Sequence, residues 1–189
     1  MKKLILASAL AAAVALPAQA ADYVIDTDGA HAFIQFKISH LGYSWLYGRF
    51  NTFSGEFSYD AKKLTDSNIN LVIDTASIDS NHTERDQHLR SPDFLNVAAH
   101  PQATFSSTKL IAKADNKFDL HGKFTLNGIS RDIVIAAEKL GEGTDPWGGY
   151  RAGFAGATSF ELKDFGINYD LGPASSTVYL ELTVEGIRQ

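Results

Sequence analysis

Residues 118–128 read FDLHGKFTLNG, and this stretch predicts a strand that turns tightly into a second one. Apolar side chains and one glycine occupy every second position, and the positions between them are polar or charged, which is the period of a half-buried strand. Asn127-Gly128 then favours the positive-φ turn that joins two antiparallel strands. The alternation resumes over residues 133–137, so the sequence predicts a β-hairpin here.

The same period of two recurs along most of the chain and predicts about eight or nine strands. The alternating segments are 23–26, 31–38, 49–59, 68–75, 103–106, 118–126, 133–137, 152–162 and 178–186. A change of phase between Phe50 and Phe53 predicts a β-bulge, whereas residues 42–48 are expected to be irregular and residues 141–149 to form a loop. A sheet of this size has to close or split, and the short connections favour an all-β, antiparallel, up-and-down barrel of about eight strands.

The charged side chains share one face of these strands, so that face is expected to meet water and the apolar face to line the barrel interior. Glycines at positions 55, 122 and 156 of the apolar face leave two interpretations open: they make room for a cavity, or they mark bends in the barrel. The predicted interior, including two residues of a helical segment described next, consists of Ile34, Phe36, Ile38, Tyr43, Trp45, Phe57, Leu71, Ile73, Phe94, Leu95, Phe105, Phe124, Leu126, Ile135, Phe154, Phe160, Leu180 and Leu182.

One long interruption of the strand pattern, DSNHTERDQHLRSPDFLNVAAH at residues 79–100, predicts a short helical segment near residues 81–96. Asn81 is a suitable N-cap, and Glu84 follows three residues later, as in a capping box. Pro92 is expected to end the helix, because the residue before a proline is pushed toward extended geometry.

This helix carries almost only polar side chains, and Leu89 is its single large apolar residue. A helix of that composition is not a core element. We therefore expect it to lie across one end of the barrel and to close it, with Leu89, Phe94 and Leu95 as its anchors.

The first 20 residues predict a secretory signal peptide. Lys2 and Lys3 form a basic start, residues 4–16 are an apolar run too short to span a bilayer, and Ala18-Gln19-Ala20 fits a cleavage site. Cleavage before Ala21 would leave residues 21–189 as a single barrel domain. The exported protein is expected in a periplasm.

The balance of charges and the absence of cysteine exclude some functions. The chain has 17 basic and 22 acidic side chains and a formal net charge of −5, and loss of Lys2 and Lys3 would make it about −7. Nucleic-acid binding depends on Lys and Arg contacts to phosphates, so a nucleic-acid partner is not expected. Without cysteine, the chain has neither a disulfide nor a thiol nucleophile.

Several motifs together resemble the YceI family, and the resemblance covers the whole chain after the predicted signal peptide. They are HLGYSWLYG at 40–48, NHTERDQHLRS at 81–91 with FLN at 94–96, DPWGG at 145–149, RAGF at 151–154, KDFG at 163–166 and DLGPAS at 170–175. The resemblance implies a lipocalin-like barrel in the periplasm that holds a polyisoprenoid or similar long-chain amphiphile, such as a quinone, in an apolar tunnel. It also implies a possible partner, a membrane cytochrome of the b561 type, and it carries no catalytic motif or cofactor.

The helical segment leaves a second class of function open. His82 and Asp86, and likewise Glu84 and His88, are four residues apart and share a helix face, the spacing of paired metal ligands. They would be the basis of a metal-assisted or acid–base enzyme, but no third ligand lies nearby in the sequence, and Glu84–His88 and Asp86–Arg90 surface pairs are the favoured interpretation. We therefore predict a binding protein with no catalytic residue and no metal.

Three basic residues of the same segment are candidates for contact with a ligand head group. Arg85, His88 and Arg90 would meet an anionic group at the barrel mouth. The alternative is that they form surface ion pairs of small energetic value.

Overall fold

The computed structural model describes residues 20–189, so the predicted signal peptide lies, except for its last residue, outside the described residues. The described chain consists mostly of antiparallel strands in one sheet. The strands are β1 (Ala21–Ile25), β2 (Phe33–His40), β3 (Ser44–Phe50), β4 (Phe53–Tyr59), β5 (Asn68–Asp74), β6 (Ile78–Asp79), β7 (Gln102–Ala112), β8 (Lys117–Leu126), β9 (Ile129–Thr144), β10 (Tyr150–Glu161) and β11 (Thr177–Arg188).

The sheet closes into a barrel with eight strand positions, because three of these positions are shared by two consecutive strands. Strands β1 and β2 both pair with β11, β1 near Gly186 and β2 from Thr183 to Val178. In the same way β3 and β4 follow one line, and so do β5 and β6. Each position pairs with its neighbour in chain order, and β1–β11 contacts complete the ring. The predicted all-β, eight-stranded, up-and-down barrel is confirmed.

Two segments are more regular than the sequence pattern indicates. Residues 42–48 were expected to be irregular, but β3 covers most of them, from Ser44 to Phe50. Strand β9 continues to Thr144, so the predicted loop at 141–149 is reduced to a turn at its end. Long hairpin partners explain both differences, because β2 and β10 supply hydrogen bonds along the whole length of these segments. The predicted bulge between Phe50 and Phe53 is a complete break between β3 and β4.

The predicted helical segment is present as α1 (Thr83–Arg90), followed by turns up to Leu95. Its N-cap is His82 and not Asn81: the His82 Nδ1 accepts a hydrogen bond from the amide of Arg85 at 3.3 Å. Asn81 instead adopts a left-handed backbone with φ of 61°, which turns the chain into the helix. No helix within residues 20–189 has the length and apolar character needed to cross a bilayer.

Aromatic rings of neighbouring strands lie over several inward-facing glycines. A Cβ atom at Gly122 would overlap the ring of Phe105, and one at Gly48 would overlap the ring of Phe36. At Gly156 the space is taken by Ile135, whose Cγ2 would lie 2.8 Å from an added Cβ. These glycines therefore leave room for bulky side chains of the neighbouring strand. This packing role differs from both interpretations that the sequence left open, a cavity and a bend in the barrel.

Candidate functional site

The barrel interior is hollow and contains two adjoining cavities. The larger one, of about 640 Å³, lies at the end that α1 covers, and the smaller one, of about 110 Å³, lies deeper in the barrel. Four side chains line both cavities and so form the waist between them: Ile34, Ile73, Phe124 and Leu180. An eight-stranded barrel is wide enough to hold one small ligand, and here part of that space is left unfilled.

The larger cavity has apolar walls and a few polar groups. Inward-facing residues of β2, β3 and β11 supply the barrel side, and Leu89, Phe94 and Leu95 supply the side under the helix. The polar side chains that line it are Ser39, His40, Arg85, His88, Asp170 and Ser175. Such a surface suits a long apolar molecule with one polar end.

Aromatic rings surround the smaller cavity. Phe154 lines this cavity and contacts Phe57, Tyr59 and Phe118 edge-on, with ring centroids 5.5, 5.1 and 6.1 Å away. These rings belong to β4, β8 and β10, no two of which pair with each other, so the rings meet across the barrel interior. The smaller cavity is therefore walled mainly by apolar and aromatic side chains, which suits the apolar part of a ligand.

Charged side chains hold α1 against Ser80 within the helical lid, which is defined here as residues 79–96. Arg85 donates from Nε to the Ser80 Oγ at 2.7 Å and from a terminal nitrogen to the Ser80 carbonyl at 2.6 Å. Asp86 is buried and accepts from the amide and the hydroxyl of Ser80 at 2.8 and 2.5 Å. These polar contacts fix the helix within the lid, and the predicted apolar anchors pack the lid on the barrel: Phe94 and Leu95 are buried and Leu89 is partly buried.

The three head-group candidates divide into two kinds. Arg85 and His88 line the larger cavity, and His88 is oriented by Asp93, 3.0 Å from its Nε2, and by ring contacts with Phe94 and Tyr169. Arg90 does not line the cavity. Its guanidinium donates to the carbonyls of Ala76 and Ile78, both at 2.7 Å, because the loop before the lid presents these oxygens to it.

The predicted interior residues face the two cavities with two exceptions. Tyr43 is 88% exposed and Trp45 is 50% exposed, so their predicted interior placement was wrong. Alternation along β3 explains the error: Leu46, Gly48 and Phe50 face inward, and the odd-numbered positions therefore face outward.

Other cavity residues were missing from the prediction. They include Leu46 and Phe50 of β3, Ile78 of β6, and Ile167 and Leu171 of the segment between β10 and β11. For β3, the Leu46-x-Gly48-x-Phe50 spacing is a period-two signal that was available in the sequence. The segment after β10 has no such period, so its contribution depends on the tertiary fold.

The four side chains proposed for a metal or acid–base site do not form one. Asp86 contacts Ser80, His82 caps the helix and lies 3.4 Å from Glu84, and His88 contacts Asp93. The expected Glu84–His88 and Asp86–Arg90 pairs are also not formed. The polar side chains of the helix have other contacts instead: His82 caps it, and Arg90 bonds to backbone carbonyls that precede the lid.

Acidic groups meet one arginine at the opposite end of the barrel. Arg151 donates to Asp26 and Glu185, both at 2.5 Å, and to Asp145 at 2.7 Å. Hydrogen bonds from Arg151 hold the pKa of Asp26 and of Asp145 below the ordinary carboxyl value. Asp26, His31 and Glu185 form the one group of His and carboxylate side chains within residues 20–189 that is close enough to share a cation, but Arg151 already neutralises two of its members.

Comparisons with known proteins agree with this architecture. A UPF0312 protein of Azotobacter vinelandii is 58% identical over 191 residues and is matched over the full length of both chains. The crystal structure of a YceI protein of Campylobacter jejuni has 28% identity and a TM-score of 0.72, covering 86% of this chain and 96% of that one.

A more distant structure shares the fold. A polyisoprenoid binding domain from Saccharophagus degradans, implicated in plant cell wall breakdown, has 17% identity and a TM-score of 0.66, covering 90% of this chain and 100% of that one. Residues 23–186 match the YceI-like domain as a family. The chain therefore belongs to the YceI-like domain family.

Proposed function

We propose that this protein binds and carries a long-chain isoprenoid lipid, either a polyprenyl compound or a quinone, inside its barrel. The observation that carries the proposal is the pair of adjoining apolar cavities, the larger of about 640 Å³, beneath a helical lid. Each methylene-sized group moved from water into such a space is worth roughly 0.8 kcal/mol, so a long chain gains enough to be held without covalent chemistry. The Saccharophagus degradans domain of the same fold, which binds polyisoprenoid, supports the choice of ligand.

The polar groups assign an orientation to the bound lipid. Arg85, His88 and Asp170 line only the larger cavity, whereas rings such as Phe154 and Phe118 surround the smaller one. A head group would lie near the lid, where those polar side chains can contact it, and the chain would extend past the waist.

The cellular setting belongs to the same proposal. The features of residues 1–20 support export to a periplasm, with residues 21–189 as the mature lipid-binding domain. A carrier in that compartment would exchange its lipid with a membrane, and a b561-type cytochrome is the partner that the family resemblance suggests.

Ile73→Trp tests the hypothesis that the interior holds lipid. Ile73 lies at the waist, 4% exposed, beside space that an indole can enter. We expect the purified variant to have lost most of its lipid, measured by mass spectrometry after organic extraction, while lipid-stripped protein stays within about 1–1.5 kcal/mol of the wild type in stability.

The matched control is Val134→Trp, which adds the same side chain to an exposed outer position of β9 and should leave the lipid content unchanged. Stripped samples are required because a bound ligand raises the apparent stability by itself. Wild-type protein without any extractable lipid, or a destabilised Ile73→Trp variant with normal lipid content, would overturn the proposal.

A further inference from the structure

We infer that the outer face of the β2–β3 hairpin docks on the head-group region of a bilayer of zwitterionic lipids, which have no net charge. This contact would bring the cavity mouth to the membrane. The inference rests on the proposed function, because it explains how an apolar chain would enter and leave the barrel. It concerns a surface that lies outside the cavity except at Leu41.

The surface is an aromatic patch, defined by Leu41, Tyr43, Trp45, Tyr47 and Tyr179. All five side chains are exposed: Tyr43 by 88%, Tyr47 by 60%, Leu41 by 55%, Trp45 by 50% and Tyr179 by 38%. Large apolar groups scattered singly on a surface are ordinary, but a contiguous group of them marks an interaction site.

Strand pairing makes the patch contiguous. Lys37 of β2 pairs with Tyr47 of β3 on one side and with Tyr179 of β11 on the other. The rings of Trp45 and Tyr179 contact each other edge-on at 5.6 Å, and the Lys37 ammonium lies 5.7 Å from the Trp45 ring centre. Trp45, Tyr47 and Tyr179 are therefore presented by paired strands of the barrel wall, and Leu41 and Tyr43 lie in the turn that joins β2 to β3.

The patch also reaches the rim of the larger cavity. Leu41 lines that cavity and is more than half exposed, so one residue belongs to both surfaces. The Leu41 amide donates to the Ser175 Oγ at 3.2 Å, which fastens the hairpin tip to another cavity-lining segment. An apolar molecule leaving the mouth beside Leu41 would pass directly onto the patch.

The residue types and the charges of the patch favour a bilayer surface as its partner. Trp and Tyr have an apolar body and one polar group, and they are enriched where lipid head groups meet acyl chains. The two outward cations of the hairpin are paired, Lys37 with Glu181 at 2.7 Å and Arg49 with Asp79 at 3.6 Å, so they offer little attraction to anionic lipid. The net charge of −5 also opposes attraction to anionic lipid.

The two tryptophans of the chain provide the experiment, because they lie at opposite ends of the barrel. Trp45 is near the Val178 end of β11, and Trp147 is in the turn before β10, at the Ile187 end. Trp147→Phe leaves Trp45 as the only fluorophore of its kind, and Trp45→Phe leaves Trp147 while keeping an aromatic ring in the patch. Each purified variant is mixed with phosphatidylcholine vesicles whose acyl chains are brominated.

We expect vesicles to shift the Trp45 emission to the blue and to quench it, and to leave the emission of Trp147 unchanged. Tyr43→Ser combined with Tyr47→Ser should weaken co-sedimentation with the same vesicles about tenfold or more, because two aromatic rings are removed from the contact. Unchanged emission of Trp45, stronger quenching of Trp147, or a Trp45 shift that follows protein concentration without vesicles would overturn the inference. The last result would indicate that the patch contacts a second copy of the chain.

Lipid extraction of the same variants separates this inference from the proposed function. Variants that retain stoichiometric lipid but do not contact vesicles would refute the docking surface and leave the carrier function intact. Vesicle contact by a protein that never contains lipid would refute the carrier function, on which the inference rests.

Discussion

At the scale of single residues, the contacts of Arg151 join three parts of the chain. Its guanidinium reaches Asp26 after β1, Asp145 in the turn before β10, and Glu185 on β11. The cluster lies at the end of the barrel opposite the lid, where β1 and β11 close the ring. It therefore acts on the stability of the barrel and not on the cavity.

Arg151→Gln should destabilise the protein at neutral pH, and the effect should fade in acid. An acid whose folded pKa is below its unfolded value binds fewer protons when folded, so its stabilisation is present above the unfolded pKa and is lost as the pH falls through the folded one. The pKa values of Asp26 and Asp145 are lowered by hydrogen bonds from Arg151. We expect a lower urea midpoint than wild type at pH 7 and a difference that shrinks progressively as the pH falls below about 4.

Lys63→Gln is the control for that measurement. Lys63 forms a single exposed pair with Asp66 at 2.6 Å, and such surface pairs contribute little. Its midpoint should stay near the wild-type value at both pH values. A difference between Arg151→Gln and wild type that is equally large at pH 7 and pH 3 would contradict the assignment.

At the scale of elements, the helical lid is a separate unit from the barrel wall. It is inserted between β6 and β7, and α1 exposes one polar face to solvent. Strand β8 lies between β7 and β9 and is hydrogen-bonded on both edges. The lid is attached by a few contacts, such as the hydrogen bonds of Arg90 to the carbonyls of Ala76 and Ile78.

Amide hydrogen exchange should distinguish these two elements. We expect faster exchange over residues 84–90 than over residues 120–126, because local opening of α1 breaks far fewer contacts than opening of a central strand. Bound lipid should slow exchange in the lid, since Leu89 and His88 line the cavity it would fill. Equal protection in both segments, unaffected by removal of lipid, would show that the helix is a fixed part of the wall.

At the scale of the whole molecule, the two ends of the described chain meet in the closure of the barrel. Tyr23 of β1 pairs with Arg188 of β11, and the Gln189 amide donates to the Asp22 carbonyl at 2.9 Å. Strand β1 begins at Ala21, which pairs with Tyr59 of β4. The residue predicted to follow the cleavage site is thus also the residue at which the sheet begins.

We expect the exported protein to begin at Ala21. The cleavage site rests on Ala18-Gln19-Ala20 after an apolar run. Intact-mass measurement of protein from a periplasmic extract should give the mass of residues 21–189. A mass that includes Met1 and the apolar run would contradict both the cleavage site and the assignment of residues 1–20 as a signal peptide.

The sequence alone was sufficient for the barrel and for most of its interior. Period-two alternation assigns each strand one buried face, and hairpin signals such as Asn127-Gly128 join neighbours in chain order, so closure in sequence order follows from local patterns. Inward residues such as Ile73 and Phe124 could be predicted because burial on a strand depends on position parity alone.

The tertiary structure decided what depends on contacts between distant segments. The contribution of Ile167 and Leu171 to the larger cavity follows from the tertiary fold, because the segment between β10 and β11 has no period-two pattern. Arg90 became an anchor and not a head-group contact because the carbonyls of Ala76 and Ile78 lie beside it. Backbone oxygens carry no residue-specific signal, so partners of this kind can be identified only once the chain is folded.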